Sequence, residues 1–227
     1  MDGRRPTGVM YVNTHVDDPN KEIEYDAWYR NVHFPDVTEP GMFVNATMFH
    51  NANVPPATGE GKFLAFYETY WEDVGAATDA FRGWVDVLGR ESRIHAGTLG
   101  ASFGIYANVA RRFATERRRF SQSVNAFLID PREGAPADDV RRHLVEHTLA
   151  AVAGIGLHHS VSVGELTTSQ AFADATGEQA RFLLLLESDI GDPRALATSV
   201  EAKVPDAVPD TAELRIASNF FRGPVAA

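Results

Sequence analysis

The chain of 227 residues has no cysteine, no long apolar run and no excess of basic charge. The absence of cysteine excludes disulfides, thiolate catalysis and cysteine-ligated metals. No stretch approaches the ~20 apolar residues that span a bilayer, and the N-terminus lacks the apolar segment of a signal peptide. The net charge of −10 opposes nucleic-acid binding. The sequence therefore predicts a cytoplasmic protein without membrane or nucleic-acid partners.

Several motifs of cofactor and hydrolase sites are also missing. No G-x-G-x-x-G, P-loop or G-x-S-x-G pattern occurs, which opposes dinucleotide binding and serine hydrolysis. His158 and His159 are adjacent, so on a strand their rings point to opposite faces. His143 and His147 are spaced to share one helix face, but they lack a third spaced ligand. We therefore predict no metal site.

Strand and helix signals follow one order twice along the chain. Strand patterns at residues 7–16, 42–50, 62–70 and 97–109 are interleaved with helix patterns at 21–34 and 71–93. After an arginine-rich segment the same order of elements repeats. We predict an α+β fold of two ferredoxin-like halves (β-α-β-β-α-β each), residues 1–110 and 121–227, joined by a basic linker at 111–120.

The most distinctive segment is residues 24–40, EYDAWYRNVHFPDVTEP. We expect an amphipathic helix from about residue 21 that carries Trp28, Tyr29 and His33 and ends at Pro35. A weaker copy of this pattern spans residues 138–154. The preserved order of such matches indicates a duplicated fold, with coincidence as the alternative.

The histidine of this segment has two interpretations. The pKa of a free imidazole is about 6.5, so His33 suits proton transfer near neutrality. In the weaker copy, His147 is expected where His33 stands in the first, and a histidine kept in both copies is also consistent with a helix-end group that bonds a carbonyl. Tyr29 lies four residues before His33 on the same helix face, where it can orient the imidazole or bind a substrate oxygen.

The pattern of Trp28-Tyr29 with His33 and Pro35 resembles W-Y-x-x-x-H-x-P of EthD-like members of the dimeric α+β barrel superfamily. That resemblance implies that the two halves form an intramolecular pseudo-dimeric α+β barrel, packed sheet to sheet because each sheet has one face without helices. Relatives of this fold use haem, but no histidine here is placed distinctively enough to assign one. We predict no cofactor.

Strand faces turned away from the helices carry aromatic and short polar side chains in the first half, which suits a pocket better than a dry core. In the second half the corresponding faces are expected to carry Phe127, Leu184 and Leu186. An alternative is that the polar groups satisfy one another. The predicted substrate-binding residues are Tyr11, Asn13, His15, Trp28, Phe43, Asn45, Phe49, Tyr67 and Tyr106.

These expectations combine into a cofactor-independent enzyme for an aromatic or polyketide-like small molecule that bears oxygen. His33 and Tyr29 are the predicted catalytic residues, and the reaction class is cyclase, isomerase or lyase. Alternatives are a cofactor-free monooxygenase, a non-catalytic binding protein and a structural pseudo-dimer with a filled barrel. Fusion of two halves removes the need for dimerisation, and association into a homo-oligomer stays open.

Overall fold

The computed structural model describes residues 5–53, 56, 60–113, 120–167 and 179–223. The strands in these ranges are β1 (Gly8–Val16), β2 (Val44–Asn51), β3 (Phe63–Thr69), β4 (Thr98–Phe113), β5 (Ser123–Pro131), β6 (Ser160–Leu166), β7 (Phe182–Ser188) and β8 (Ala212–Phe221). The helices are α1 (Glu22–Trp28), α2 (Phe34–Thr38), α3 (Val74–Arg90), α4 (Ala137–His143), α5 (Leu149–Ala153) and α6 (Pro193–Ala207). None of these helices is both long and apolar enough to cross a membrane.

The strands close into one antiparallel barrel in the order β1-β3-β2-β8-β5-β7-β6-β4. This confirms the predicted mixed α+β class. The four strands of each half lie side by side, and the two sheets join edge to edge: β2 pairs with β8, and β4 pairs with β6. We expected packing of one sheet face on the other. Instead, hydrogen bonds between the edges enclose a common interior, and the β2–β8 edge is joined only at His50 and Asn51.

Three apolar clusters form around the barrel wall. The barrel interior contains side chains from strands of both halves, including Tyr11, Phe66, Tyr106 and Leu185. A second cluster lies between the outer face of the first sheet and α1–α3. A third lies between the outer face of the second sheet and α4–α6. Each strand therefore buries both of its faces, and a side chain on one face is separated by the sheet from those on the other.

The sequence predicts that the helix carrying His33 ends at Pro35. In the structure the helix continues past Pro35 to Thr38. It passes from α1 through a π-helical turn, Tyr29–His33, into α2, and Pro35 is the second residue of α2. In a regular helix a proline ring clashes with the carbonyl four residues earlier. The turn is widened, because the N–H of Phe34 bonds the carbonyl of Tyr29, five residues back. That widening lies directly before the proline and lets the helix continue to Thr38.

The second half has a helical segment with the same construction. It consists of α4, a π-helical turn (Leu144–Thr148) and α5, and these pieces match α1, the first π-helical turn and α2 in length. Each segment is followed, three residues after its end, by a glycine with positive φ, Gly41 or Gly156. In this alignment Thr148 occupies the position of His33. The prediction that His147 repeats His33 is therefore wrong by one residue.

Strand β4 is longer than its sequence pattern indicated. It continues to Phe113, into the segment predicted to be a basic linker, because residues 106–113 pair with β6. There the guanidinium of Arg111 donates to the carboxylate of Glu187 at 2.8 Å. Arg112 also lies in β4, whereas residues 114–119, with Arg117, Arg118 and Arg119, lie outside the described residues.

Candidate functional site

The sheet of the first half divides the predicted site residues into two separate groups. Tyr11, Phe49 and Tyr106 lie in the barrel interior. Tyr29 and Tyr67 are core members of the cluster between sheet and helices, and Trp28 packs against it. Because a sheet separates them, these residues do not form the single pocket that the sequence indicated.

Two residues of the first half, Tyr67 and Phe43, lie on the opposite side of the sheet from the one that the sequence predicts. Tyr67 pairs with Met10, which faces the helices, so Tyr67 also faces the helices. Phe43 lies on the same side, 5.1 Å from the ring of Phe81. The alternation of β2 is interrupted where Asn45 adopts a φ of 54° and the register against β3 shifts.

Asn45 itself is exposed, and its amide donates to the carboxylate of Glu68 at 2.7 Å. This position contradicts its predicted place in a pocket. The second half shows another reversal, since Phe127, Leu184 and Leu186 all pack beneath its helices. The interior of that half is made instead by side chains such as Val124 and Ala126.

The side chain of Asn13 faces the barrel interior, but its amide forms hydrogen bonds with backbone groups. Its amide nitrogen donates to the carbonyls of Gly61 and Phe63, and its oxygen accepts the N–H of Gly61 at 2.7 Å. These bonds hold the end of the β2–β3 connection against β1. His15, near the end of β1, is half-buried, and its Nδ1 has no hydrogen-bond partner among the described residues. The structure does not bring either residue to His33.

Several hydroxyl groups of the barrel interior make no hydrogen bond of regular geometry among the described residues, although that of Tyr11 lies near Ser102 and that of Tyr106 lies near the backbone of Ala180. They belong to Tyr11, Ser102, Tyr106 and Ser218, each at most 1 % exposed. Burial raises the pKa of both tyrosines, so their hydroxyls remain protonated donors at neutral pH. The ring of Tyr106 lies directly against Gly104, where a Cβ atom would come within 2.4 Å of it. The phenol therefore occupies space that a side chain would fill.

The other group forms a compact set of rings that we call the His33 cluster, made of Tyr25, Trp28, Tyr29, His33, Phe34 and Tyr67. The imidazole of His33 stacks on Trp28 with ring centres 4.9 Å apart. Tyr29 meets the same imidazole edge-on at 4.6 Å. Phe34 connects this part of the cluster to Tyr67, with ring centres 5.4 Å apart. A single helix thus supplies five of the six rings, and β3 supplies the sixth.

The imidazole of His33 is neutral at physiological pH. Burial lowers its pKa from about 6.5 to about 4, and the nearby carboxylate of Asp36 offsets only part of that effect. Its Nδ1 is buried and has no hydrogen-bond partner among the described residues. Such an atom costs free energy unless a bound molecule or water satisfies it. His33 therefore offers a polar group for a ligand in apolar surroundings.

Two tyrosine hydroxyls accompany this imidazole. Burial raises the pKa of Tyr29 and of Tyr67, and the two phenols influence each other. The hydroxyl of Tyr67 has no hydrogen bond of regular geometry within the described residues. Both groups remain protonated at neutral pH and can donate to an oxygen. The cluster therefore combines one neutral base with phenolic donors.

The sequence analysis missed His95, which lies in the connection between α3 and β4. Its ring contacts Tyr25 at 5.3 Å and Trp28 at 5.2 Å. Its Nδ1 accepts the N–H of Gly97 at 3.1 Å, which leaves the proton on Nε2. No local pattern marks His95, because contacts across the fold bring it to the helix. Tyr25 was recognisable in principle, since it lies four residues before Tyr29.

Asp36 fastens this connection to the helix. Its carboxylate accepts two hydrogen bonds from Arg93, one of them from Nε at 2.8 Å, and its backbone carbonyl accepts the indole N–H of Trp84 at 2.7 Å. The paired guanidinium–carboxylate geometry gives directional as well as electrostatic stabilisation. The segment around His95 is thereby held close to the His33 cluster.

A different histidine, His50, forms a separate pair on the helix side. Its Nε2 lies 3.0 Å from Oδ1 of Asp26, and the other carboxylate oxygen of Asp26, Oδ2, accepts from Nε of Arg30 at 2.9 Å. Burial lowers the pKa of His50, and the bond to Asp26 opposes this effect. His50 is therefore held by a charged partner, whereas Nδ1 of His33 has no hydrogen-bond partner among the described residues.

Metal and haem sites find no support in the arrangement of the described histidines. No three His, Asp or Glu side chains converge as a metal site in the described ranges. A haem would need an imidazole beside a space wide enough for a porphyrin. His33 is enclosed by Trp28 and Tyr29, whereas His147 is exposed and contacts the ring of His143. These residues do not fit a haem.

Comparison of the sequence with known families finds no match. The curated proteins also contain no match. Solved structures with a similar fold include a chlorite dismutase from Candidatus Nitrospira defluvii, with a TM-score of 0.55, 8% identity and coverage of 97% of this chain and 92% of that one. They also include an anthrone oxidase-like protein, with a TM-score of 0.54, 11% identity and coverage of 95% and 91%. A protein from Lactobacillus acidophilus that is described as a putative monooxygenase has a TM-score of 0.52, 10% identity and coverage of 94% and 93%. The chain thus shares the dimeric α+β barrel fold with these structures.

Proposed function

We propose that the chain is a cofactor-independent enzyme that binds a small, uncharged, oxygen-bearing aromatic or polyketide-like molecule at the His33 cluster. The main support is the unpartnered, buried Nδ1 of His33 inside a set of aromatic rings. Aromatic walls favour a planar apolar ligand, and a neutral base with phenolic donors favours oxygen functions. Most of the similar structures named above are enzymes, which agrees with an enzymatic role.

The alignment of the two helical segments strengthens the case for His33. Thr148 occupies the matching position, and its hydroxyl donates to the carbonyl of Ala207 at 2.6 Å. Since the second half does not keep a histidine there, the packing of such a segment does not require one. This weakens the interpretation of His33 as an architectural group common to both halves.

In the proposed reaction, His33 takes a proton from a hydroxyl or an activated C–H of the substrate. The substrate becomes a phenolate or enolate, and the imidazole becomes imidazolium. The hydroxyl of Tyr67 donates to the new oxyanion, and Tyr29 orients the imidazole by its edge contact. In a cyclase, isomerase or lyase the anion attacks or expels a group within the same molecule, and the proton returns from His33 to the product.

The monooxygenase alternative uses the same first step. The carbanion then reacts with dioxygen, so that a CH₂ group becomes a carbonyl, one oxygen atom enters the product and the other leaves as water. The fold shared with a monooxygenase and an anthrone oxidase-like protein favours testing this outcome. Dioxygen is then the oxidant, and no further reductant is required.

A turnover assay separates these possibilities. Anthrones and phenolic polyketides are supplied in air and under nitrogen, and product and oxygen uptake are measured. We expect His33→Ala to lower turnover by about 10²–10⁴-fold, the usual effect of losing a general base. His147→Ala is the matched control. Unchanged turnover in a folded His33→Ala protein would exclude His33 from the reaction, and saturable binding without product would favour a binding protein.

We also propose that the chain is a fusion of two ferredoxin-like halves, related to EthD-like barrels. Supporting observations are the equal helical segments, the paired glycines and the order of four strands in each half. The Trp28-Tyr29, His33 and Pro35 pattern supports the EthD-like relationship. The second helical segment, α4 to α5, lacks these aromatic residues. This is consistent with a reaction site in the first half alone.

A further inference from the structure

A buried histidine of the second half lies outside the His33 cluster and is oriented by a chain of hydrogen bonds. The Nε2 of His158 lies 3.0 Å from the amide oxygen of Asn125. The amide nitrogen of Asn125 donates to the amide oxygen of Asn219. The amide nitrogen of Asn219 donates in turn to a carboxylate oxygen of Glu201 on α6, at 2.9 Å.

All hydrogen bonds of this network run in one direction, from the donor His158 towards the acceptor Glu201. The carboxylate of Glu201 only accepts, which sets the orientation of the amide of Asn219 and then that of Asn125. The oxygen of Asn125 must therefore accept a hydrogen bond from the Nε2–H of His158. Nε2 carries the hydrogen, and Nδ1 keeps a free lone pair. His158 is consequently fixed as a hydrogen-bond acceptor at Nδ1.

Nδ1 of His158 accepts no hydrogen bond from the described part of the protein. His158 is 4 % exposed, and its Nδ1 is buried without a hydrogen-bond partner among the described residues. Burial and the neighbouring His159 lower its pKa to about 4, so the ring is neutral at physiological pH. An oriented and buried acceptor of this kind is costly unless a donor reaches it.

The side chains around His158 are smaller than those around Phe43, the residue at the matching position of the first half. His158 follows Gly156 by two residues, as Phe43 follows Gly41. Phe43 packs on the ring of Phe81, whereas His158 contributes a smaller ring and a polar edge. Along the matching helices, the positions of Tyr25, Trp28 and Tyr29 carry valine, histidine and leucine. These positions of the second half therefore carry smaller side chains than the matching positions of the first half.

We propose that Nδ1 of His158 is the anchor of a second ligand site, which takes a small, uncharged molecule that has one hydroxyl or N–H donor on an apolar body. The donor binds Nδ1, and the apolar body packs against the cluster beneath α4–α6, which includes Leu144, Val152 and Val200. This site is separate from the proposed reaction site, because the two lie under different helices on different sheets.

Binding of phenol and of toluene by protein with ¹⁵N-labelled histidine tests the proposal. The two probes share a ring, but only phenol has a donor. We expect phenol to shift the Nδ1 signal of His158 and to bind about tenfold more tightly than toluene, the usual effect of one net hydrogen bond. The signal of His33 is recorded in the same spectra, so occupation of the other site is distinguished.

Two variants complete the experiment. His158→Phe removes the acceptor and keeps a ring, and it should abolish the preference for phenol at this site. Glu201→Gln changes the far, exposed end of the chain and should weaken the preference without removing it, which keeps the test valid if His158→Phe fails to fold. The proposal is overturned if phenol leaves the Nδ1 signal unchanged, or if a trapped water alone occupies Nδ1 and phenol does not displace it.

Discussion

Acid should destabilise the folded protein in part through His33. The pKa of this imidazole is about 6.5 in an unfolded chain and about 4 in the folded one, because burial disfavours the charged form. Between these two pH values the unfolded state holds a proton that the folded state does not. The free energy of unfolding therefore falls as the pH falls through this window.

The size of the effect follows from the two pKa values. Their difference corresponds to about 3 kcal/mol, all of it lost by about pH 4 and almost none of it lost at pH 7. His158, whose pKa is also lowered to about 4, contributes a loss of the same sign in the same window. A domain is commonly stable by only about 5–15 kcal/mol, so each contribution is large enough to measure.

Urea unfolding at a series of pH values between about 7 and 4.5 provides the assay. His33→Gln keeps a polar side chain of similar length but cannot titrate, so its stability should decline less steeply than that of the parent protein. His147→Gln, in which an exposed histidine is replaced, is the control for the substitution itself. If His33→Gln and the parent protein lose stability in parallel, His33 is not a desolvated neutral imidazole, and the argument for its role as a base fails.

Three further changes test the packing that supports the two sites. Gly61→Ala should destabilise the protein by more than about 2 kcal/mol in urea unfolding, because the new Cβ atom would lie 2.4 Å from a backbone oxygen of β1. Gly83→Ala is the control, since a Cβ atom there meets nothing within 4 Å, and it should stabilise α3 by up to about 1 kcal/mol. Equal effects of the two would contradict this. Tyr106→Phe should change stability by less than about 1 kcal/mol, since the hydroxyl it removes has no hydrogen bond of regular geometry among the described residues. A loss above about 1 kcal/mol would reveal a hydrogen bond to the backbone of Ala180, to water or to a ligand. Arg93→Ala should increase hydrogen exchange in α2 and in residues 92–97, because it breaks the paired contact with Asp36, and unchanged exchange would show that the contact does not hold that segment.

Much of the architecture was predictable from local patterns. Alternating strands, the amphipathic helix around Trp28 and the repeated order of elements were sufficient to predict an α+β barrel. The same patterns identified His33 and Tyr29 on one helix face, where the structure brings their rings to 4.6 Å. These features depend on residues a few positions apart, and such spacing is visible in a sequence.

The membership of the site was less predictable. A side chain changes sheet face with each residue of a strand, so a single irregularity reverses the assignments on one side of it. The positive φ at Asn45 placed Phe43 beneath the helices, and pairing with Met10 placed Tyr67 there as well. Asn13 was assigned to a substrate, but its amide serves Gly61, 48 residues away in sequence.

The sequence by itself determined the class of fold, the absence of cysteine chemistry and the aromatic helix with its histidine. Only the tertiary structure decided that Thr148, rather than His147, matches His33, because the alignment depends on where the pieces of the two helical segments begin and end, and the local pattern does not mark these boundaries. It also decided that His95 reaches Trp28, and that the sheet separates Tyr11 and Tyr106 from the His33 cluster. The physical reason is that burial and cross-strand pairing depend on distant parts of the chain, whereas helix and strand periodicity depend on near neighbours.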